Sequence, residues 1–246
     1  GVIFVPIDIE AGAAAVATAA AEGIPVVGSN TRVNSDKLAS YVGSNDVMSG
    51  EMEAISVLEG MGGKGNVVII EGPIGQSAQI ERRQGNMIAL EKYPDVKLLE
   101  MQTANWSRAE ALDLMENWLN AYPDQIDGII GQNDEMALGA IQAVEQAGLN
   151  INDFPVAGID GVTDAMLAVK DKKMVSILQD ATAQAQGALD VLMGRIVGSD
   201  YTPKADVWSE IDFNGGNEAV YSVPWVPITL DNVDKLLEIR KELTQR

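Results

Sequence analysis

The side chains best placed for chemistry lie between Ile129 and Gly161. There one apolar run ends in Gly131-Gln132-Asn133-Asp134-Glu135-Met136-Ala137, and a second ends in Gly158-Ile159-Asp160-Gly161. Each run reads as a strand that delivers a hydrogen-bonding side chain, Asn133 or Asp160, at its carboxyl end. In open α/β sheets ligands bind in the crevice beyond those ends. An amide and a carboxylate at such a rim can accept and donate to a polar molecule. The chain contains no histidine and no cysteine, which removes thiolate nucleophiles, disulfides and Cys-based metal sites. Binding a polar molecule therefore fits the rim better than transforming one. An enzyme reading would have to rest on carboxylates such as Asp160 and Asp134.

The elements that must position this rim follow from the pattern. Strands are expected at residues 66–71, 96–101, 127–131, 155–159 and 174–178, and helices at 77–92, 107–121, 134–147, 163–171 and 181–198. Before them come a strand at 2–6, read as buried, an Ala-rich helix at 11–22, and a strand at Gly23-Ile24-Pro25-Val26-Val27. Strands alternating with helices at this spacing indicate parallel sheets built from right-handed crossovers. Pro94 and Pro123 sit just past helix ends, and Gly148 is expected to end the helix for which Asp134 is the candidate N-cap. The tail, Tyr221-Ser222-Val223-Pro224-Trp225-Val226-Pro227, reads as an extended crossing before a last helix around 231–243.

Composition narrows the partners. With 17 basic and 36 acidic residues the net charge is −19, a surface that repels phosphate backbones and anionic lipid. Nucleic acid is therefore not an expected partner. A hydrophobic content of 46% over 246 residues supports a folded chain with a sizeable core. The longest apolar runs fall short of the roughly 18–20 residues that span a bilayer.

At Asn133-Asp134-Glu135-Met136-Ala137, Gly158-Ile159-Asp160-Gly161 and Ile177-Leu178-Gln179, the chain resembles the periplasmic sugar-binding proteins of ABC transporters, in their ribose-type branch. That branch shares its fold with the ligand cores of LacI-type repressors. The resemblance implies a two-lobed α/β periplasmic-binding-protein type I fold with parallel Rossmann-like sheets. It also implies a sugar or polyol held in the cleft between the lobes and delivered to an ABC permease, in the periplasm or outside the cell, with no cofactor. By the same resemblance Asn133, Asp160 and Gln179 bond sugar hydroxyls, Arg82 ahead of Gly85 is a further contact, and Trp106 stacks on the sugar ring. Where ribose-type proteins carry adjacent Asp and Arg, this chain has Asn30 and Thr31, with Arg32 one step later. That departure leaves another pentose, a hexose, an inositol or a polyol open as ligand.

Family members begin with two further strand-helix units before the equivalent of Val2–Pro6. The resemblance therefore implies an incomplete N-terminal lobe, residues 1–43 and 181–221, and a complete C-terminal lobe, residues 44–180 and 222–246. An incomplete sheet would leave strand 2–6 as an open edge for self-association or for a partner fragment. Hinges are expected near Ser44-Asn45, Asp180-Ala181 and Val223-Pro224.

Each residue has a plainer reading beside this one. Asn133 suits any strand-to-helix turn, Asp160-Gly161 is a common turn pair, and Trp106 could be core. Asp46, Glu51 and Glu53 read as the solvated face of a helix, while Trp118, Trp208 and Trp225 read as packing residues. The loop Glu71-Gly72-Pro73-Ile74-Gly75-Gln76-Ser77 lacks the Gly-Lys-Ser/Thr ending of a phosphate loop. Asp231-Asn232-Asp234 lacks the glycine and terminal Glu of a calcium loop. The effector core of a LacI-type regulator remains the alternative function.

Overall fold

A computed structural model describes residues 1–244. In chain order its elements begin with β1 (Val2–Phe4), α1 (Gly12–Ala21), β2 (Val26–Ser29), β3 (Ser40–Gly43) and α2 (Asp46–Gly60). Next come β4 (Gly65–Glu71), α3 (Ser77–Glu91), β5 (Val96–Thr103), α4 (Arg108–Ala121), β6 (Gly128–Gly131) and α5 (Asp134–Gln146). The chain continues with β7 (Val156–Asp160), α6 (Thr163–Lys170), β8 (Val175–Leu178) and α7 (Ala181–Val197). It finishes with β9 (Val220–Ser222), β10 (Val226–Ile228) and α8 (Val233–Thr244).

These elements form two units. The first comprises Gly1–Asn45, Gly75–Ile80 and Asp180–Trp225, and the second Asp46–Ile74, Glu81–Gln179 and the chain from Val226. The chain thus leaves and re-enters each unit several times, and the start of α3 belongs with the first.

The first unit carries a parallel sheet in the order β1-β2-β3-β9. Val27, Val42 and Tyr221 of that sheet pack with Ala188, Val191 and Leu192 of α7. Strand β3 went unrecognised in the sequence pattern, although its four residues are all buried. The buried reading of strand 2–6 is corrected: β1 is three residues long, and Val2 and Ile3 are 41% and 38% exposed. Its position explains this, because β1 is the sheet edge and pairs only with β2 among the described residues.

The second unit carries a six-stranded sheet in the order β10-β8-β7-β6-β4-β5, parallel except for β10, which runs antiparallel to β8. Alternate residues face opposite sides, as the two-residue period of a strand requires. Val68, Ile70 and Ile129 pack toward α4, α5 and α6, whereas Val67, Ile69 and Ile130 pack toward α2 and α3. Both faces are therefore covered, which is why these strands read as continuous apolar runs. Strand β4 has β5 on one side and β6 on the other. The strand order reverses there, and the crevice at such a switch point is the ligand position of open α/β sheets.

Helices α2 and α3 touch backbone to backbone. A Cβ on Gly50 would lie 2.2 Å from the Arg82 carbonyl oxygen, and one on Gly85 would lie 2.1 Å from that of Val47. The glycine of Arg82-x-x-Gly85 thus has a packing cause: it lets α3 approach closely enough for Arg82 to reach Asp46. Gly85→Ala is expected to destabilise the chain by about 1–3 kcal/mol or more through overpacking. Urea unfolding would measure it.

Candidate functional site

Five of the seven residues singled out in the sequence lie in the second unit, at or next to the carboxyl ends of its parallel strands. Asn133 follows β6, Asp160 ends β7, Gln179 follows β8, Trp106 follows β5, and Arg82 lies on the helix after β4. The sheet topology gathers them along one edge.

Asn133 has extended backbone and is the N-cap of α5, its Oδ1 accepting from the Met136 N–H at 2.9 Å. The expectation that Asp134 caps this helix is thereby corrected. Asp134 is instead the first helical residue, and its carboxylate turns toward neighbouring strand ends. Oδ2 accepts from the Val162 N–H at 2.9 Å and Oδ1 from the Ser176 hydroxyl at 2.7 Å. Burial pushes Asp134 up to about 6, against the lowering effect of those donors and of the Gly161 N–H. It fixes the start of α6 against α5, beside Asp160.

Asp160 differs from all of these. Its φ of 125° lies where a side chain is strained, and no described residue donates a hydrogen bond to its carboxylate. The residue keeps partial solvent exposure. Even so, burial is the leading cause that pushes its carboxyl up to about 7; Arg82 opposes the rise, while Asp134, Asp46 and Glu135 add to it. A strained, uncommitted carboxylate at a strand end is the group of this edge best placed to accept hydrogen bonds from outside the chain.

Arg82 is only 3% exposed. Its Nε donates to Asp46 Oδ1 at 2.9 Å and an Nη to the Gln132 carbonyl at 2.6 Å. Burial alone would lower its pKa, but Asp46, Asp160 and Glu53 outweigh that and hold it above the ordinary value. The guanidinium lies 5.5 Å from the centroid of the Trp106 ring, within cation–π range. Trp106 itself has a φ of 62°. Its ring lies flush on Gly72, where a Cβ would come within 2.0 Å of the indole. The Gly72-containing loop is therefore a seat for an aromatic plate.

Beneath this edge runs a buried polar chain that sequence reasoning missed. Gln132 Oε1 accepts from the Gly72 N–H at 3.1 Å, and its Nε2 donates to Asn86 Oδ1 at 3.3 Å. Asn86 Nδ2 donates to the Gly50 carbonyl at 2.7 Å and to Glu53 Oε1 at 2.8 Å. Asp46 and Glu53 are 1% and 0% exposed, so their reading as a solvated helix face is corrected. Seven positions apart, they share the inward face of α2, and their partners Arg82 and Asn86 share the facing side of α3. The paired glycines at the α2–α3 crossing were the available signal.

The other two residues lie in the first unit. Asn30 has a φ of 63°, and its Nδ2 donates to Gln184 Oε1 at 3.1 Å. Gln184 Nε2 in turn donates to the Ser44 hydroxyl at 2.9 Å. The Arg32 guanidinium stacks 4.2 Å from the centroid of Tyr41, whose hydroxyl donates to the Asn30 carbonyl at 2.6 Å. The three tryptophans read as packing residues are buried or half-buried. Trp118 is in the core of the second unit, Trp208 donates to Asp190, and Trp225 donates to the Asn45 carbonyl.

Comparison with known proteins adds to this geometry. The model of the periplasmic binding protein domain matches residues 1–200. The chain belongs to the periplasmic binding protein family. Among its relatives is the xylitol-binding protein of Mycolicibacterium smegmatis, 37% identical over 238 residues, which are 96% of this chain and 63% of that protein. The ribose import binding protein of Bacillus subtilis is 34% identical over 198 residues, 78% of this chain and 63% of that protein. The chain thus spans less than two thirds of the length of these curated relatives. An ABC transporter solute binding protein from Bacillus halodurans, solved with bound myo-inositol, superposes with a TM-score of 0.84. It is 31% identical, covering 96% of this chain and 76% of the other. A periplasmic solute binding protein from Actinobacillus succinogenes, with bound D-allose, gives a TM-score of 0.79 at 32% identity, covering 95% and 79% of the two chains.

Proposed function

We propose that this chain is the sugar- or polyol-binding part of an ABC importer, acting in the periplasm or outside the cell and handing its ligand to a membrane permease. The observation that carries this reading is the unbonded, strained carboxylate of Asp160 on the same sheet edge as Asn133, Gln179, Arg82 and the Trp106 ring. A neutral sugar offers hydroxyls that donate and accept, and apolar C–H faces that suit an aromatic plate. Asp160 accepts from vicinal hydroxyls, the amides of Asn133 and Gln179 add donors, and Trp106 covers the ring. Arg82 acts mainly by electrostatics, because its Nε and one Nη are engaged by Asp46 and Gln132. The relatives whose names specify xylitol and ribose, and the neighbours with bound myo-inositol and D-allose, support this class of ligand.

In the first unit, Asn30 stands where ribose-type proteins carry the Asp, and Arg32 lies one step past the position of their adjacent Arg; we propose both as ligand contacts. The exposed strand β1 supports the further proposal of self-association along that edge. Calorimetry of the protein carrying this chain against pentoses, hexoses, inositols and alditols tests the function. Binding of at least one, lost on Asp160→Ala, is expected; no binding across the panel would overturn it.

A further inference from the structure

We propose that Glu53 is a positioning residue for the aromatic plate of this edge, acting through Asn86 and Gln132 on Gly72 and Trp106. The proposal deepens the sugar-binding reading and rests on it for its functional consequence.

The argument is one of donors and acceptors. Asn86 is fully buried, and its amide could be placed either way round. Two acceptors, the Gly50 carbonyl and Glu53 Oε1, lie on its Nδ2 side at 2.7 and 2.8 Å, and they hold the amide in one orientation. That orientation presents Asn86 Oδ1 to Gln132 Nε2, which directs Gln132 Oε1 at the Gly72 N–H. Gly72 is the surface on which the indole of Trp106 rests. Reversing any amide along the chain would set donor against donor or acceptor against acceptor. The orientation that Glu53 sets together with the Gly50 carbonyl thus propagates to the seat of Trp106.

Glu53 has no place in the ligand edge itself, yet it is wholly buried, and its Oε2 is the one buried side-chain polar atom without a partner among the described residues. An ionised carboxylate in that position would be costly. Burial accordingly drives its pKa well above the ordinary carboxylate range, against the lowering effects of the Asn86 hydrogen bond and of Arg82, with Asp134 and Asp160 adding to the rise. A neutral acid keeps Oε1 as acceptor and puts a proton on Oε2. Glutamine reproduces that pattern, whereas alanine removes the acceptor.

The test uses the chain labelled with 5-fluorotryptophan, the Trp106 fluorine signal being assigned by Trp106→Phe. In the absence of ligand, Glu53→Ala is expected to shift or broaden the Trp106 signal and leave that of Trp208 unchanged, while Glu53→Gln restores the wild-type spectrum. Sugar affinity should follow, falling about tenfold or more in Glu53→Ala and staying within about threefold in Glu53→Gln, a scale set by one lost hydrogen bond. Should Glu53→Ala fail to fold, Glu53→Met, which fills the volume but offers no acceptor to Asn86, takes its place. A shifted Trp106 signal in Glu53→Met supports the role, and an unchanged one overturns it. An unchanged Trp106 signal in folded Glu53→Ala also overturns it. A Trp106 signal that responds in a protein binding no sugar would retain the positioning role and reject the sugar-binding function.

Discussion

Arg82→Met is expected to destabilise the chain by about 3–5 kcal/mol, the cost of leaving one member of a buried ion pair uncompensated. Asp46 would be left at 1% exposure with its guanidinium partner gone, and the Gln132 carbonyl would lose a donor at 2.6 Å. Asp160 would lose the group that most opposes its elevated pKa. Denaturant unfolding measures the loss. The second half of the prediction separates structure from ligand binding. Arg82→Met combined with Asp46→Ala removes both charges, so part of the stability should return, while sugar affinity stays low. A single mutant costing under about 1 kcal/mol would contradict the buried-pair account.

Asp160→Asn is expected to raise stability and lower affinity together. The Asp160 carboxyl is pushed up to about 7 in the folded chain, from an ordinary value of 3.8. Between those two values the folded state holds a proton that the unfolded state has released, so stability falls as pH rises through the window. Above it, the wild type carries the full penalty of an ionised, poorly solvated carboxylate. Asparagine cannot ionise, and the mutant should therefore unfold at higher temperature than the wild type at about pH 8, with the difference shrinking toward about pH 4. Asp134, pushed up to about 6 from 3.8, retains its own pH dependence in the mutant, so the mutant's curve flattens only in part. Affinity should fall about 10- to 100-fold, because hydrogen bonds to a charged acceptor become neutral ones. Such opposition between stability and binding is what a strained functional residue produces. A mutant no more stable than the wild type at high pH would count against it.

The parallel sheet edge was legible in the sequence because each element has local punctuation. Gly148 has a φ of 75° just past α5, and Pro94 and Pro123 follow α3 and α4. Asn133 and Asp160 were legible for the same reason, since strand ends followed by turn residues mark the rim wherever the strands lie in the sheet. Strand β3 was missed because Ser40-Tyr41-Val42-Gly43 has only two strong strand formers, and its pairing with β2 and β9 is non-local. The burial of Asp46 and Glu53 was missed for a related reason. Their partners Arg82 and Asn86 lie 36 and 33 positions away, and a carboxylate on a helix suggests solvent until a buried donor is known. The exposure of β1 was misread because an apolar tripeptide carries no mark of its place at a sheet edge. The sequence alone offers Asp134 as a cap as readily as Asn133, because Asn and Asp cap helices about equally well. Only the fold shows that its carboxylate serves Val162 and Ser176.

The most direct measurement is a crystal structure of the protein carrying this chain, grown with the tightest-binding sugar or polyol of the calorimetric panel. Ligand hydroxyls within hydrogen-bond distance of the Asp160 carboxylate, with a C–H face on the Trp106 ring, are the predicted result. A ligand bound away from both residues would contradict the assignment of this sheet edge as the sugar-binding wall.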